Sequence, residues 1–274
     1  ASRFAAMGML VSRAMRSAHL PMRASDRRLV DAMYHVDRLA ACRAEIRLEG
    51  VPLYFNPLRL SVSELDFLVD RIWNHDCYRL RDVAGDAPVV VDAGAHIGVF
   101  SRFAKRLFPQ ATVVALEPDR EVFELLEQNL AVTEGALCLN QALLDQPGNL
   151  DFFVSDKIDW RSTLLLDSDS AYSRQFRDGE MTTSYQTPVV TVDGLMAEHG
   201  IDRLDFLKIT IGSFEHRVLT GARESIARHR PHIAMLAYPE NEAAVRGFLD
   251  EIGGYREVPC PYPSTANIRI FQPS

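Results

Sequence analysis

Cysteine is scarce in this sequence, with only four among 274 residues. Cys42, Cys77, Cys138 and Cys260 are widely spaced and include no Cys-x-x-Cys pair. A disulfide framework or a zinc site normally requires closer or paired spacing. We therefore expect isolated thiols in a reducing compartment, which favours a cytoplasmic protein.

Long apolar runs and an excess of positive charge are also missing. No run approaches the roughly 20 apolar residues that a membrane-spanning helix needs. Phe4 to Val11 is apolar, but Arg13 and Arg16 soon interrupt the pattern, so we expect no signal peptide. The net charge is −7, whereas a domain that binds duplex nucleic acid is usually basic. We expect no nucleic-acid partner and one large domain with an appendage.

Residues 1–85 are predicted to form an N-terminal extension of helices and a hairpin. The segment around Leu29 to Ala40 has helical spacing, and the first 28 residues contain six arginines and one acid. Such a helix either caps the sheet or contacts a membrane surface or a protein partner. Ile46 to Phe55 predicts a hairpin that turns at Glu49-Gly50, and Ser63 to Trp73 predicts a helix.

Residues 86–274 are predicted to form the main domain, which begins with VVVDAGAHIGVFS. Val89 to Val91 are β-branched, as in a strand buried on both faces. Asp92 closes that strand, Gly94 and Gly98 bracket a tight turn, and a helical apolar pattern follows. Glycine is needed where a ligand approaches the backbone closely, so this strand-turn-helix segment predicts a nucleotide-binding unit.

The third glycine of the dinucleotide fingerprint is absent from this turn. A nicotinamide-dependent oxidoreductase is therefore disfavoured. An aspartate before two glycines resembles the first motif of S-adenosylmethionine-dependent methyltransferases. Glu117 ends the next predicted strand, 23 residues after Gly94, where an acid is expected to bind a ribose diol. The alternative is an ordinary turn and a surface glutamate.

Strand and helix patterns alternate along the rest of the chain. Strands are predicted over Ala136–Leu143, Leu150–Val154, Thr187–Val192, Leu204–Ile211 and His232–Tyr238, and helices over Glu121–Leu130 and Glu242–Ile252. Tyr255–Val258 and Asn267–Phe271 are predicted to close the sheet as an antiparallel pair. The pattern predicts an α/β fold with a mostly parallel sheet and helices on both faces. The polar segment Lys157–Ser184 is interpreted as a functional excursion.

From about Val51 onward, the ordered motifs resemble the FkbM family of methyltransferases, which implies a Rossmann-like fold and S-adenosylmethionine as cofactor. VVVDAGAHIGVFS, VVALEPDREVFELLEQNL and LNQALLD resemble the first three motifs, and TVDGLMAEHGIDRLDFLKI with FEHRVLTGA resembles the approach to the late motif and its end. The resemblance implies a set of cofactor-binding residues, with the last three beside the adenine: Asp92, Gly94, Ala95, His96, Gly98, Glu117, Pro118, Asn140, Gln141 and Ala142.

The late motif departs from the family pattern Lys-Ile-Asp-x-Glu-Gly-x-Glu. Thr210 and Gly212 stand where acids are expected, and Ala237 replaces the glutamate that often ends the next strand. Acids there would serve as a base or as metal ligands. We interpret the change as a remodelled active site without a metal.

Candidates for catalysis remain near the late motif: Lys208, Glu215 and His216. Each has a structural alternative, because Lys208 can pair with a buried acid and His216 can lie on a helix surface. Tyr238 and Glu240 are candidates for lining the acceptor pocket. His199, His229 and His232 lack metal-ligand spacing and are interpreted as structural or exposed.

Two functions remain after the oxidoreductase is set aside. The first is methyl transfer to an oxygen of a sugar, glycan or secondary metabolite, an acceptor class that comes from the resemblance alone. The second is a protein of the same fold that binds cofactor or a partner without catalysis, which the missing acids favour.

Overall fold

The computed structural model describes residues 43–155, 181–262 and 267–274. The predicted helix around Leu29 to Ala40, Cys42 and most of the polar segment Lys157–Ser184 lie outside these described residues. The last part of that segment belongs to a strand, which begins at Met181.

The described chain forms two compact units that divide after Leu65. In the first unit, β1 (Ala44–Leu48) pairs antiparallel with β2 (Val51–Phe55), which confirms the predicted hairpin. Both turn residues have positive φ, 51° at Glu49 and 84° at Gly50. Helix α1 (Val62–Val69) follows, and its bounds extend past the division. The domain boundary that we expect near residue 85 stays a prediction.

The second unit contains the main sheet. Within the described ranges it has seven strands: β3 (Val89–Ala93), β4 (Thr112–Leu116), β5 (Ala136–Leu139), β9 (Phe206–Ile209), β10 (His232–Leu236), β11 (Tyr255–Val258) and β12 (Ile268–Pro273). Their order across the sheet is β5-β4-β3-β9-β10-β12-β11. The first five in this order run parallel, whereas β12 is antiparallel to both β10 and β11. The fold class and the closing antiparallel pair are therefore confirmed.

Apolar strand residues form the core of this unit. Val91, Val114, Leu207 and Ile233 on four neighbouring strands are fully buried, as expected for parallel strands covered on both faces. The helices are α2 (Val99–Leu107), α3 (Arg120–Leu130), α4 (Val192–Glu198), α5 (Glu215–Thr220), α6 (Arg223–His229) and α7 (Pro239–Ile252). No helix in the described part of the chain is long and apolar enough to cross a bilayer.

A second sheet of three strands interrupts the alternation. It contains β6 (Ala142–Leu143), β7 (Gly148–Ser155) and β8 (Met181–Val190), with β8 in the centre. The prediction of one strand over Ala136–Leu143 is wrong, because the chain leaves the main sheet at Asn140. The side-chain amide of Asn140 donates to the carbonyls of Glu117 and Pro118, at 2.8 Å and 3.2 Å, and this contact replaces continued strand pairing.

Strand β3 has β4 on one side and β9 on the other. The chain reaches β4 directly through α2 but returns to β9 only after the second sheet. Strand order thus reverses beside β3. In open parallel sheets, ligands bind outside the carboxyl ends of the strands at such a reversal. The glycine turn follows β3 and so lies at this position.

Candidate active site

Gly94 begins the turn after β3 and has a φ of 75°. A Cβ at this position would lie 2.1 Å from the carbonyl oxygen of Thr210. Gly98, with a φ of 88°, would bring a Cβ to 2.9 Å from the side chain of Leu126. The structure therefore requires glycine for packing against β9 and α3, whereas a close approach by a ligand stays a prediction. Ala95 is buried in the same turn.

A buried ion pair lies under the glycine turn. Nζ of Lys208 on β9 is 2.7 Å from Oδ1 of Asp92 on β3 and donates to the carbonyl of Gly94 at 2.9 Å. Ser101 on α2 donates to the other oxygen of Asp92 at 2.6 Å. The carboxylate thus connects β9 and α2 to the end of β3. This geometry supports the structural alternative for Lys208, and its catalytic role stays a prediction.

Aromatic rings enclose the ammonium group of Lys208. Its Nζ lies 5.9 Å from the ring centroid of Tyr78 and 5.6 Å from that of Phe100. These rings exclude water from the ion pair and provide cation–π contacts. The side chain of Lys208 is only 6% exposed and that of Asp92 is fully buried. Neither charge is solvated, so each depends on the other.

Glu117 follows β4, and its carboxylate reaches back to the glycine turn. Its two oxygens accept hydrogen bonds from the backbone N–H groups of His96, at 2.9 Å, and Asp119, at 3.0 Å. His96 has a φ of 55°, so a non-glycine residue holds a left-handed conformation in this turn. Burial raises the pKa of Glu117 to about 7, with a further contribution from the nearby charge of Asp119. The surface-residue alternative for Glu117 is wrong, because the residue is only 8% exposed.

The three residues predicted to lie beside an adenine have separate surroundings. Asn140 holds the carbonyls of Glu117 and Pro118, as described above. The side-chain oxygen of Gln141 is buried and has no hydrogen-bond partner among the described residues. Ala142 is buried at the start of β6 and pairs with Val189. Among the described residues, nothing satisfies the buried side-chain oxygen of Gln141.

Thr210 and Gly212, two of the three neutral residues that stand where acids are expected, lie in the loop after β9. Thr210 donates its backbone N–H to Ala93 at 2.9 Å, and its hydroxyl oxygen is buried without a hydrogen-bond partner in the described part of the chain. Gly212 and Ser213 have φ values of 62° and 70°. Ala237 is also buried. The structure therefore places no carboxylate at any of the three replaced positions.

Glu215 lies at the start of α5 and is fully buried. Its oxygens accept from the backbone N–H of Ser213 and from the side-chain amide of Asn241, both at 3.1 Å. Burial raises its pKa to about 7. The same amide of Asn241 donates to the carbonyl of Ser213 at 2.7 Å. These contacts join the loop after β9 to α7, and the catalytic role predicted for Glu215 stays a prediction.

The remaining candidates lie on or near α5 and α7. The ring of His216 meets the ring of Phe248 on α7 edge-on, with centroids 6.4 Å apart. Glu240 is exposed and accepts a hydrogen bond from the hydroxyl of Ser213 at 3.1 Å. Tyr238 precedes α7. Among the described residues, no three His, Cys, Asp or Glu side chains form a group that could hold a metal ion.

Sequence patterns missed three residues that support these groups: Ser101, Tyr185 and Asn241. Ser101 lies one helical turn after Gly98. A small polar residue at this position is a signal that could predict the hydrogen bond to the acid at the end of β3. Tyr185 contacts the segment after β4 across 65 residues of chain, and no local pattern predicts such a contact.

The main sheet has β12 inserted antiparallel, and a glycine turn and an acid lie at the ends of β3 and β4. These features define the Rossmann-like methyltransferase fold. The family model described as the methyltransferase FkbM domain matches residues 92–257, more than half of the chain. The chain therefore belongs to the FkbM methyltransferase family.

Named relatives include the methyltransferase sdnD of Sordaria araneosa and the 31-O-demethyl-FK506 methyltransferase FkbM of Streptomyces tacrolimicus. The first is 28% identical over 60% of this chain and 71% of its own length, and the second is 29% identical over 61% and 72%. A solved methyltransferase FkbM from Methylobacillus flagellatus KT superimposes with a TM-score of 0.50 at 16% identity. The match covers 71% of this chain and 46% of that one, so this chain corresponds to less than half of the solved protein.

Proposed function

We propose that this chain is an S-adenosylmethionine-dependent methyltransferase that methylates a hydroxyl oxygen of a sugar, glycan or secondary metabolite in the cytoplasm. The observation that carries the proposal is the contact between Glu117 and the backbone of His96. It places a carboxylate against the glycine turn at the reversal of strand order, where a nucleoside would bind. Membership of the FkbM family supports methyl transfer.

The residues at the turn fit the proposed cofactor. Glu117 offers further lone pairs to ribose hydroxyls beyond the two backbone contacts it makes. Gln141 offers a buried oxygen without a partner, which suits the amino group of an adenine. Asp92 lies on β3, and Gly94, Ala95, His96 and Gly98 belong to the turn that follows it. Pro118 and Asn140 belong to the hydrogen-bonded segment at Glu117, and Ala142 lies two residues beyond Asn140. S-adenosylmethionine, when bound, supplies an electrophilic methyl group on a sulfonium.

The acceptor class is inferred from the names of relatives. One relative is a 31-O-demethyl-FK506 methyltransferase, and another, from Sinorhizobium fredii, is a 2-O-methyltransferase NoeI that is 20% identical over 52% of this chain and 60% of its own length. Both names specify methylation of oxygen. We infer an oxygen acceptor for this chain, with Tyr238 and Glu240 at the carboxyl ends of the strands as candidates to contact it.

The acids that the family pattern has at positions 210, 212 and 237 are not available to act on the acceptor. Thr210 is neutral, and its hydroxyl cannot remove a proton as a carboxylate would. Orienting the acceptor oxygen in line with the methyl group then provides the acceleration, because well-oriented groups gain several orders of magnitude in effective concentration. An acceptor with an acidic hydroxyl suits such a site, since it needs little help to lose its proton.

A second function is binding without catalysis. It is favoured by the neutral side chains of Thr210 and Ala237 at positions where acids are expected and by the complete burial of Glu215. In that case the chain retains its cofactor site and lacks turnover. In either case the arginine-rich sequence before Arg43 is a candidate for contact with a protein or a membrane surface.

The first experiment is a calorimetric titration of the purified protein with S-adenosylmethionine, S-adenosylhomocysteine and NAD. We expect binding of the first two and none of NAD. Glu251→Gln serves as the control for a Glu117→Gln variant, because Glu251 is an exposed acid paired with Arg223. Absence of S-adenosylhomocysteine binding by the parent protein would refute the proposed function.

The second experiment measures methyl transfer to a panel of sugars, glycans and phenolic metabolites, with and without a metal chelator. We expect turnover that the chelator does not reduce. Cofactor binding with no turnover on any acceptor would favour the second function. Loss of turnover on chelation would refute the interpretation that the acidic site has been replaced by neutral residues.

A further inference from the structure

Tyr185 on β8 of the second sheet makes two hydrogen bonds to the segment that follows β4. Its hydroxyl accepts from the backbone N–H of Arg120 at 2.8 Å and donates to the carbonyl of Pro118 at 3.2 Å. The same hydroxyl therefore bonds two backbone groups that lie two residues apart, as an acceptor toward one and as a donor toward the other. A hydroxyl so placed fixes the conformation of the residue between them.

That intervening residue is Asp119, whose backbone N–H donates to Glu117. The side-chain amide of Asn140 donates to the carbonyls of Glu117 and Pro118, and it shares the Pro118 carbonyl with Tyr185. Two side chains thus hold the backbone after β4, one before the second sheet and one within it. The orientation of the Glu117 carboxylate depends on this backbone, because Asp119 provides one of its two backbone donors.

The ring of Tyr185 is itself held in place. The guanidinium of Arg120 lies 4.1 Å from its centroid, and the same group donates to the carbonyl of Gln186 at 3.1 Å. The ring of Phe152 on β7 packs against it with centroids 5.7 Å apart. Burial raises the pKa of the phenol, so the hydroxyl stays protonated and can donate to Pro118.

We propose that Tyr185 is a positioning residue for the cofactor, which acts by orienting Glu117 toward the ribose. The inference rests on the proposed function and extends it by assigning a role in cofactor affinity to the second sheet. Within the described ranges, the hydrogen bonds and ring contacts of Tyr185 are with Pro118, Arg120 and Phe152, and on this account it does not contact the reacting atoms. Its effect passes through the backbone of Pro118 to Arg120.

The test compares Tyr185→Phe with a matched control, Tyr255→Phe. Tyr255 is also a half-buried tyrosine, and its hydroxyl donates to one backbone carbonyl, that of Pro231 at 3.1 Å. It lies on β11, an edge strand of the main sheet. We expect Tyr185→Phe to weaken S-adenosylhomocysteine binding about five- to tenfold by calorimetry, as loss of hydrogen bonds that orient a charged group predicts. Tyr255→Phe should change it by less than about twofold.

Two further measurements distinguish positioning from general stability. In a double-mutant cycle with Glu117→Gln, the loss caused by Tyr185→Phe should nearly disappear, because the group through which it acts is already altered. The pH at which affinity falls on acidification should also move upward in Tyr185→Phe, since a loosened Asp119 N–H stabilises the ionised Glu117 less.

Three results would overturn the inference: equal affinity of Tyr185→Phe and the parent protein, an equal loss in the presence and absence of Glu117→Gln, or an equal loss in Tyr255→Phe. In each of these the parent protein still binds S-adenosylhomocysteine, so the proposed function stands. A parent protein that fails to bind would overturn both.

Discussion

Replacing Lys208 with methionine tests whether the buried ion pair holds the glycine turn. The substitution keeps an unbranched chain of similar length and leaves the Asp92 carboxylate buried, with Ser101 as the donor that remains from the contacts described above. The carbonyl of Gly94 loses its donor at the same time. Breaking a buried pair on one side typically costs about 3–5 kcal/mol. We expect a loss of this size in the free energy of unfolding.

The assay is urea denaturation followed by circular dichroism. With a denaturant slope of about 2–3 kcal/mol/M for a chain of this size, the midpoint should fall by roughly 1–2.5 M. Adding Asp92→Asn to Lys208→Met removes the unpaired buried charge of Asp92. The double variant should therefore lose less free energy of unfolding than the sum of the two single losses. Arg223→Met, which breaks an exposed pair with Glu251, is the control and should move the midpoint little.

A Lys208→Met variant as stable as Arg223→Met would refute this reasoning. If that variant also lost methyl transfer while retaining S-adenosylhomocysteine binding, the result would instead support the catalytic role predicted for Lys208. A variant that loses both stability and binding supports the structural role.

Further predictions concern the turn and the two buried acids. Gly94→Ala should lower the free energy of unfolding far more than Gly85→Ala in denaturant titrations, because both have positive φ but only Gly94 would bring a Cβ against a carbonyl; equal losses would contradict this. Glu117→Gln should weaken S-adenosylhomocysteine binding about tenfold, and in the parent protein affinity should rise with pH through about 7, where the carboxyl ionises. For Glu215, the raised pKa means that the folded state keeps a proton that the unfolded state loses above about pH 4.5, so its contribution to stability should fall as pH rises from there to about 7. Glu215→Gln should remove that part of the pH dependence, and an unchanged slope would contradict it.

Local patterns predicted the elements that form the turn. The run Val89 to Val91, the two glycines and the acid at Glu117 each depend on neighbours within a few residues, so their strand, turn and strand-end positions were correct. The prediction of one strand over Ala136–Leu143 is wrong at Asn140, because its side-chain contact with the segment after β4 outweighs the β propensity of the residues.

Roles that depend on distant contacts could not be predicted in the same way. In the sequence, Lys208 is a charged residue within an apolar strand. Its partner Asp92 is 116 residues away, so no local pattern predicts the ion pair. Glu215 is a catalytic candidate because it follows a strand end, but its contact with Asn241 depends on the left-handed turn at Gly212 and Ser213, which no local pattern predicts. Such outcomes depend on how strands pair and loops close, which a single sequence does not encode locally.

The antiparallel position of β12 has a consequence for synthesis of the chain. Strand β12 lies between β10 and β11, yet the ribosome makes it after both. Until residues 268–273 emerge, β10 has an open edge and β11 has no partner in the main sheet. An open edge is a template for pairing with another chain. A truncated chain that ends before Ile268 should therefore be more prone to aggregation than the chain that includes β12.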